Sequence, residues 1–200
     1  MRNLIRRMIL LGALGCCLAP SWAAGADRSV AESMPTAEVG VQYNYVHTNA
    51  PPAGCGCFSM NGGGGWFAFN VTNHWAAVAD ISAQHASDIN GSGLDLTLTS
   101  YVAGPRYRPR QFGRVSPFVQ ALFGGAHASG SFAPGSGGSP GSPDAFAMIA
   151  GGGLDVVLSK HLALRAPEVD YFLTNFVNTV NDHQNNLRVS AGVVFRFGER

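Results

Sequence analysis

Lysine is almost missing from this chain: Lys160 is the single one in 200 residues, and charged residues of every kind make up 12% of the sequence. Soluble globular domains devote about 25% of their residues to charge, so a conventional water-facing exterior is excluded. Long hydrophobic runs are missing as well. After residue 24 no apolar stretch approaches the roughly 18 residues that a membrane-crossing helix needs. A chain that is nevertheless 46% apolar can enter a membrane only as strands. Cysteine is scarce: of four, Cys16 and Cys17 fall in the N-terminal segment. Cys55 and Cys57, one residue apart, offer either a strained short-ring disulfide or two thiols. Their neighbourhood supplies no metal-ligand set, so neither a metal nor a cofactor is expected. The run Gly62-Gly63-Gly64-Gly65 lacks the lysine of a phosphate-binding loop and reads as a solvated entry into a strand.

What is present begins with an address. Arg2, Arg6 and Arg7 precede an apolar core from Met8 to Leu18 and small residues at Ala23, Ala24, Gly25 and Ala26, the layout of a secretory signal peptide. Cleavage is expected after Ala26, with Ser21-Trp22-Ala23 as a second site. Ala13-Leu14-Gly15-Cys16 is a degenerate acylation box that would instead make a lipoprotein. The expected segments are a signal peptide (1–26), a short N-terminal periplasmic segment (27–35) and a barrel domain (36–198). Cleavage leaves ten Lys and Arg against twelve Asp and Glu, a net charge of −2. No polycation remains for nucleic-acid binding.

From Thr36 onward apolar and polar residues alternate with period two between clusters of Gly, Pro, Asn and Ser, which predicts an all-β domain. In the first strand Val39, Val41, Tyr43 and Tyr45 share a face, opposite Glu38, Gly40, Gln42 and Asn44. The third sets Trp75, Ala77, Ala79 and Ile81 against Asp80, Ser82 and Gln84, and the fourth sets Leu94, Leu96 and Leu98 against Asp95, Thr97 and Thr99. Pro167 interrupts the seventh and predicts a bulge there. The eighth alternates from Leu187 to Phe197 almost without error. Connections alternate in length: 48–61, 86–93, 129–143 and 175–185 are long, 72–74 and 159–160 very short. That asymmetry matches bacterial membrane barrels, with short periplasmic turns and longer extracellular loops. The Gly-Ser-Pro run from Gly135 to Pro143 is expected to be solvated and flexible.

Alternation does not say which face is inside. The polar faces carry mostly small residues and isolated charges, at Glu38, Asp80, Asp95, Asp155, Arg165, Asp170, Arg188 and Arg196, of a size that packs into a narrow eight-stranded lumen. In a membrane every backbone polar group must be paired, so strands cross only as a closed barrel, and the apolar faces are then the lipid faces. The fold expected is an eight-stranded antiparallel up-and-down transmembrane β-barrel. Buried charges need partners, so those eight residues are expected to form a salt-bridged interior plug. Arg106, Arg108, Arg110 and Arg114 cluster around a predicted periplasmic turn, solvated or against phospholipid head groups. Phe58 and Met60, beside the two cysteines, suggest a compact first outer loop.

The closing run Ser190-Ala191-Gly192-Val193-Val194-Phe195-Arg196-Phe197 resembles the C-terminal signal of outer-membrane barrels. Pro117-Phe118-Val119-Gln120, Gly151 to Val156 and Arg165 to Tyr171 are similar to the OmpA transmembrane domain and its OmpX-like eight-stranded relatives. The resemblance covers roughly 36–198. It implies outer-membrane localisation after export and insertion by the barrel assembly machinery, with Ser190, Gly192, Phe195 and Phe197 as the assembly signal. The partners expected are outer-membrane lipid and lipopolysaccharide, with the chain a monomer.

The function expected from these readings is non-enzymatic: a structural or surface-interaction barrel. An interior just wide enough for side chains argues against a small-solute channel, which is kept as an alternative. A second alternative is enzymatic. His127-Ala128-Ser129 resembles the His-x-Ser pair of lipid A 3-O-deacylases, with Asp144 in the place of their orienting acid. Two residues apart on a strand share a face, so the spacing permits a serine–histidine–acid arrangement.

Overall fold

The computed structural model describes residues 35–48, 57–135, 141–177 and 182–198. They form eight antiparallel strands: β1 (Ala37–Thr48), β2 (Phe58–Asn70), β3 (Trp75–Ala86), β4 (Leu96–Tyr107), β5 (Val115–Ser129), β6 (Asp144–Ser159), β7 (Leu162–Thr174) and β8 (Gln184–Phe197). Each pairs with the next, and β8 closes on β1, with Ala37 opposite Phe197 and His47 opposite Leu187. No sheet edge remains, which is what lets strands cross hydrocarbon. The expected signal peptide and, apart from Pro35, the segment after it lie outside the described residues.

Local chemistry sets the short end. At the β2–β3 turn the Thr72 hydroxyl accepts from the backbone N–H of His74 (3.2 Å) and Trp75 (3.0 Å), a side-chain turn of the kind Ser and Thr favour. Before β5, Phe112 and Val115 exchange backbone hydrogen bonds around Gly113, whose φ of 60° suits glycine. At Pro167 the β7–β8 register shifts between Arg165 and Glu168, the bulge that the proline predicted. One extra residue there turns both Arg165 and Glu168 inward.

Outward positions carry Val41, Tyr43, Phe67, Ile81, Phe123 and Phe195, all well exposed. Contiguous apolar surface of this extent needs a covering phase, and on a closed barrel that phase is lipid. The interior has two storeys. Toward the short-turn end it is ionic. Toward the long-loop end Val46, Phe58, Met60, Leu98, Ile149 and Phe172 form an apolar cluster, interleaved with buried Asn44, Gln84 and Asn186.

That cluster corrects the fourth-strand reading. Leu96 and Leu98 point inward and are buried, and Thr97 and Thr99 point outward. Leu98 lies between inward-facing Gln84 and Ala128 in the register, and both leucines join the buried apolar cluster inside while the threonines face outward. Asp95, expected in the plug, is therefore exposed at the rim, its backbone N–H bonded to Ser131 Oγ at 2.9 Å. The arginine-cluster reading also changes: Arg106 and Arg108 are buried in the interior, and Arg110 and Arg114 are exposed at the turn.

The glycine run in β2 separates by face. A Cβ at inward Gly64 would lie 2.5 Å from Ser82 Cβ and 2.6 Å from the Ile81 carbonyl, whereas at outward Gly65 the nearest atom is 3.3 Å away. Gly64→Ala should therefore cost about 1–3 kcal/mol by overpacking. Gly65→Ala, whose Cβ would press only on the Gly40 carbonyl at 3.3 Å, should cost less than about 1 kcal/mol. Urea midpoints of the two refolded variants check the contrast; equal midpoints would contradict the packing described.

Candidate functional site

The ionic storey contains five buried acids (Glu38, Asp80, Asp155, Glu168, Asp170) and five buried arginines (Arg106, Arg108, Arg165, Arg188, Arg196). Arg165 grips Asp155 with two parallel bonds, Nε to Oδ1 at 2.8 Å and Nη2 to Oδ2 at 2.9 Å, and reaches Glu168 at 3.2 Å. The bidentate fork is the strongest form of this pairing. Arg188 gives two bonds to Asp170 Oδ2 (2.8 and 3.0 Å), one to Glu168 (3.2 Å) and a longer one to Asp80 (3.5 Å). Arg108 joins Glu38 (2.5 Å) to Asp155 (3.4 Å) and also bonds Asn70 Oδ1 (2.9 Å). Gln42 donates to Asp80, and Gln120 links Arg106 to Glu168. Arg196 stands 3.9 Å from Glu38.

Of the residues expected inside, Glu38, Asp80, Asp155, Arg165, Asp170, Arg188 and Arg196 meet in this network, and Asp95 does not. Arg106, Arg108 and Glu168 belong to it and were missed. For the two arginines the signal was there: they continue the two-residue spacing of Ser100, Val102 and Gly104. Arg106 and Arg165 also stack between two aromatic faces, with guanidinium carbons 4.4 and 4.0 Å from the Trp66 ring centre and 4.7 and 4.1 Å from that of Phe118. Cation–π contact of this kind strengthens where water is removed.

Among the described residues the ionic storey leaves little open space. A void of about 10 Å³ bounded by Glu38, Arg108, Ser116, Asp155 and Arg196 is close to the smallest that holds one water. At the other end Phe58 and Phe132 meet edge to face at 5.8 Å, and Phe132 is fixed by its N–H on the Asp95 carbonyl at 3.0 Å. Phe132 and Ala133, just after β5, thus pack onto the apolar cluster at that end.

Outside, His127 and Ser129 share the lipid-facing side of β5. His127 Nδ1 lies 2.8 Å from Asp144 Oδ1 across the strand pair, and among the described residues no side-chain hydrogen bond joins Ser129 to His127. Along β8, Ser190 and Gly192 face inward and Phe195 and Phe197 outward. A Cβ at Gly192 would fall 2.2 Å from the Val41 carbonyl, so glycine is demanded where β8 closes on β1. Cys55 lies outside the described residues, and with it the disulfide reading; Cys57 is exposed just before β2.

A closed barrel of eight long strands, apolar outside and packed with paired charges inside, is a transmembrane β-barrel of the outer-membrane type. Residues 9–197 match the outer membrane protein β-barrel domain, and the chain belongs to that family. No curated protein matches it in sequence. Among solved structures it is similar to neisserial surface protein A, at 17% identity over 81% of this chain and 97% of that one, with a TM-score of 0.65. It is similar to OprG of Pseudomonas aeruginosa, at 10% identity over 83% and 97%, with a TM-score of 0.55. It is also similar to the attachment invasion locus protein Ail of Yersinia pestis, at 18% identity over 82% and 100%, with a TM-score of 0.52. At these identities the likeness is one of fold.

Proposed function

We propose that the protein is a non-enzymatic, monomeric surface barrel. It is exported by cleavage of its signal peptide and inserted by the assembly machinery through Ser190, Gly192, Phe195 and Phe197, and it presents its long loops outside the cell while contacting outer-membrane lipid and lipopolysaccharide. The observation that carries this reading is the occupied lumen of the described barrel: paired arginines and carboxylates below, an apolar cluster with buried amides above. With the lumen so occupied, the functional surfaces left are the loops and the lipid-facing rim. Reconstituted protein should show heat-modifiable gel mobility and negligible conductance in planar bilayers. Large, stable openings would overturn the reading and restore the channel alternative.

A second reading, hydrolysis of an ester of the outer-leaflet lipid, is favoured by one observation, the His127–Asp144 hydrogen bond. An acid behind a histidine is what orients such a base toward a serine two residues on, and serine–base contacts often tighten only with substrate bound. Mass spectrometry of lipid A from cells expressing the wild type and Ser129→Ala separates the readings. The non-enzymatic reading expects identical acylation; loss of one acyl chain with the wild type alone would establish the hydrolase.

A further inference from the structure

Each of the four outer hairpins carries one histidine at its base, tied across to the opposite strand through the same ring atom. His47 Nδ1 lies 3.2 Å from Ser59 Oγ, His85 Nδ1 2.9 Å from Thr97 Oγ1, His127 Nδ1 2.8 Å from Asp144 Oδ1, and His183 Nδ1 3.1 Å from Asn175 Oδ1. In the first three the two residues are direct register partners; the fourth extends the Thr174–Gln184 register by one step. All four histidines are exposed on the outward side. They sit at the interfacial level, because the tyrosines beside them bond polar side chains there. Tyr45 Oη meets Ser59 Oγ at 2.8 Å, Tyr43 Oη donates to Asn61 at 2.6 Å, and Tyr171 Oη donates to Asn185. Tyrosine girdles mark the membrane–water boundary of barrels.

Hairpin closure alone asks only for a hydrogen-bonding pair, which Ser, Thr or Asn would supply on both sides. What histidine adds is a charge that switches on between about pH 5 and 8. That addition matters here because the outer ends, residues 47–61, 85–97, 127–144 and 174–187, contain no Lys or Arg, only Asp88, Asp95, Asp144 and Asp182. Imidazolium is thus the only cation these hairpins can present to a phosphate group. The geometry also selects the atom. A carboxylate accepts, so at His127 Nδ1 is the donor and the proton gained on acidification goes to Nε2. The Nε2 atoms of His47, His85 and His127 have no hydrogen-bond partner among the described residues.

The groups facing each ring on neighbouring strands are few. They are Ser59 and Leu187 for His47, with Tyr45 sharing the serine; Asn61 and Thr97 for His85; and Thr99 and Asp144 for His127. Asn175 faces His183, which has Asp182 beside it in the chain. Among the described residues Asp144 is the one charged group directly opposite His47, His85 or His127.

We propose that the four histidines form a proton-gated anchor for the phosphate groups of outer-leaflet lipid: neutral hairpin ties at mildly alkaline pH, cationic phosphate ligands at mildly acidic pH. The proposal rests on the lipid-contact reading above. It is tested with folded protein in phosphatidylcholine nanodiscs doped with fluorescent bis-phosphorylated lipid A, measuring lipid A in contact with the barrel by energy transfer at about pH 5.5 and about pH 8. The wild type should hold severalfold more lipid A at the acidic pH, and a dephosphorylated lipid A probe should show no such rise. The variant His47→Gln/His85→Gln/His127→Gln/His183→Gln keeps a hydrogen-bonding group at each position. With its heat-modifiable mobility intact, it should bind equally at both pH values. Equal wild-type binding at the two pH values, or a pH response that survives in the variant or with the dephosphorylated probe, overturns the anchor. Binding above the phosphatidylcholine background but independent of pH would do so while leaving the lipid-contact reading standing; no enrichment at either pH would end both.

Discussion

Arg188→Met should be the most damaging single exchange in the barrel, with a loss of about 3–5 kcal/mol, the usual cost of stranding buried charge. Arg188 is fully buried and holds three carboxylates: Asp170 at 2.8 Å, Glu168 at 3.2 Å and Asp80 at 3.5 Å. Methionine fills much of the same volume, so the lost packing is small and the effect isolates the charge. Two of the three acids keep a partner without it, Glu168 through Arg165 and Gln120, and Asp80 through Gln42. Asp170 loses both of its bonds from Arg188. Neutralising it should therefore recover part of the loss. The double variant Arg188→Met/Asp170→Asn is expected to stand above the sum of the single effects by on the order of 1–3 kcal/mol. Urea titrations followed by gel mobility measure this as midpoints at constant slope. A single-variant loss below about 1 kcal/mol would mean that water screens the network as it screens surface pairs, and the occupied interior would be lost with it.

The elements legible in the sequence are those whose two faces meet uniform surroundings along their whole length. β3 and β8 are the plain cases. Asp80, Ser82 and Gln84, and Arg188, Ser190 and Arg196, all point inward as their alternation predicts. β4 fails at one end because its surroundings invert. Near the long loops the interior holds an apolar cluster and the exterior is interfacial, so Leu96 and Leu98 go in and Thr97 and Thr99 go out. At its other end Gly104-Pro105 reads as a stop, yet β4 runs on to Tyr107. The pairing with β5 skips these two residues, and a Cβ at Gly104 would fall 2.1 Å from the Ala121 carbonyl. Arg106 and Arg108 were lost from the predicted site for that reason. Glu168 shares a face with Asp170, but alternation counted from Arg165 turns it outward, and the bulge that brings both inside is not fixed to one residue by the sequence. The histidine ties depend on strand register across loops of different length, which no local pattern in the chain encodes.

Trp66→Ala should be nearly as costly as the arginine exchange, about 3–5 kcal/mol for loss of a large buried aromatic, and its partner position gives a sharper test than the loss itself. Trp66 is buried at 4% exposure and fills the lumen beside Gly40. A Cβ on Gly40 would lie 2.2 Å from its ring, with the three nearest atoms all belonging to that indole. The ring has little freedom to move aside, because the Arg106 and Arg165 guanidiniums stack on it and are themselves held by Gln120 and Asp155. Gly40→Ala should therefore lower stability by about 1–3 kcal/mol in the wild-type barrel through overpacking. In the Trp66→Ala background, where the obstructing ring is gone, its cost should fall close to zero. The coupling between the two positions is the measure of how tightly the indole is wedged. Urea midpoints for the four proteins complete the cycle, and independent, additive losses would show that Gly40 is small for a reason other than Trp66.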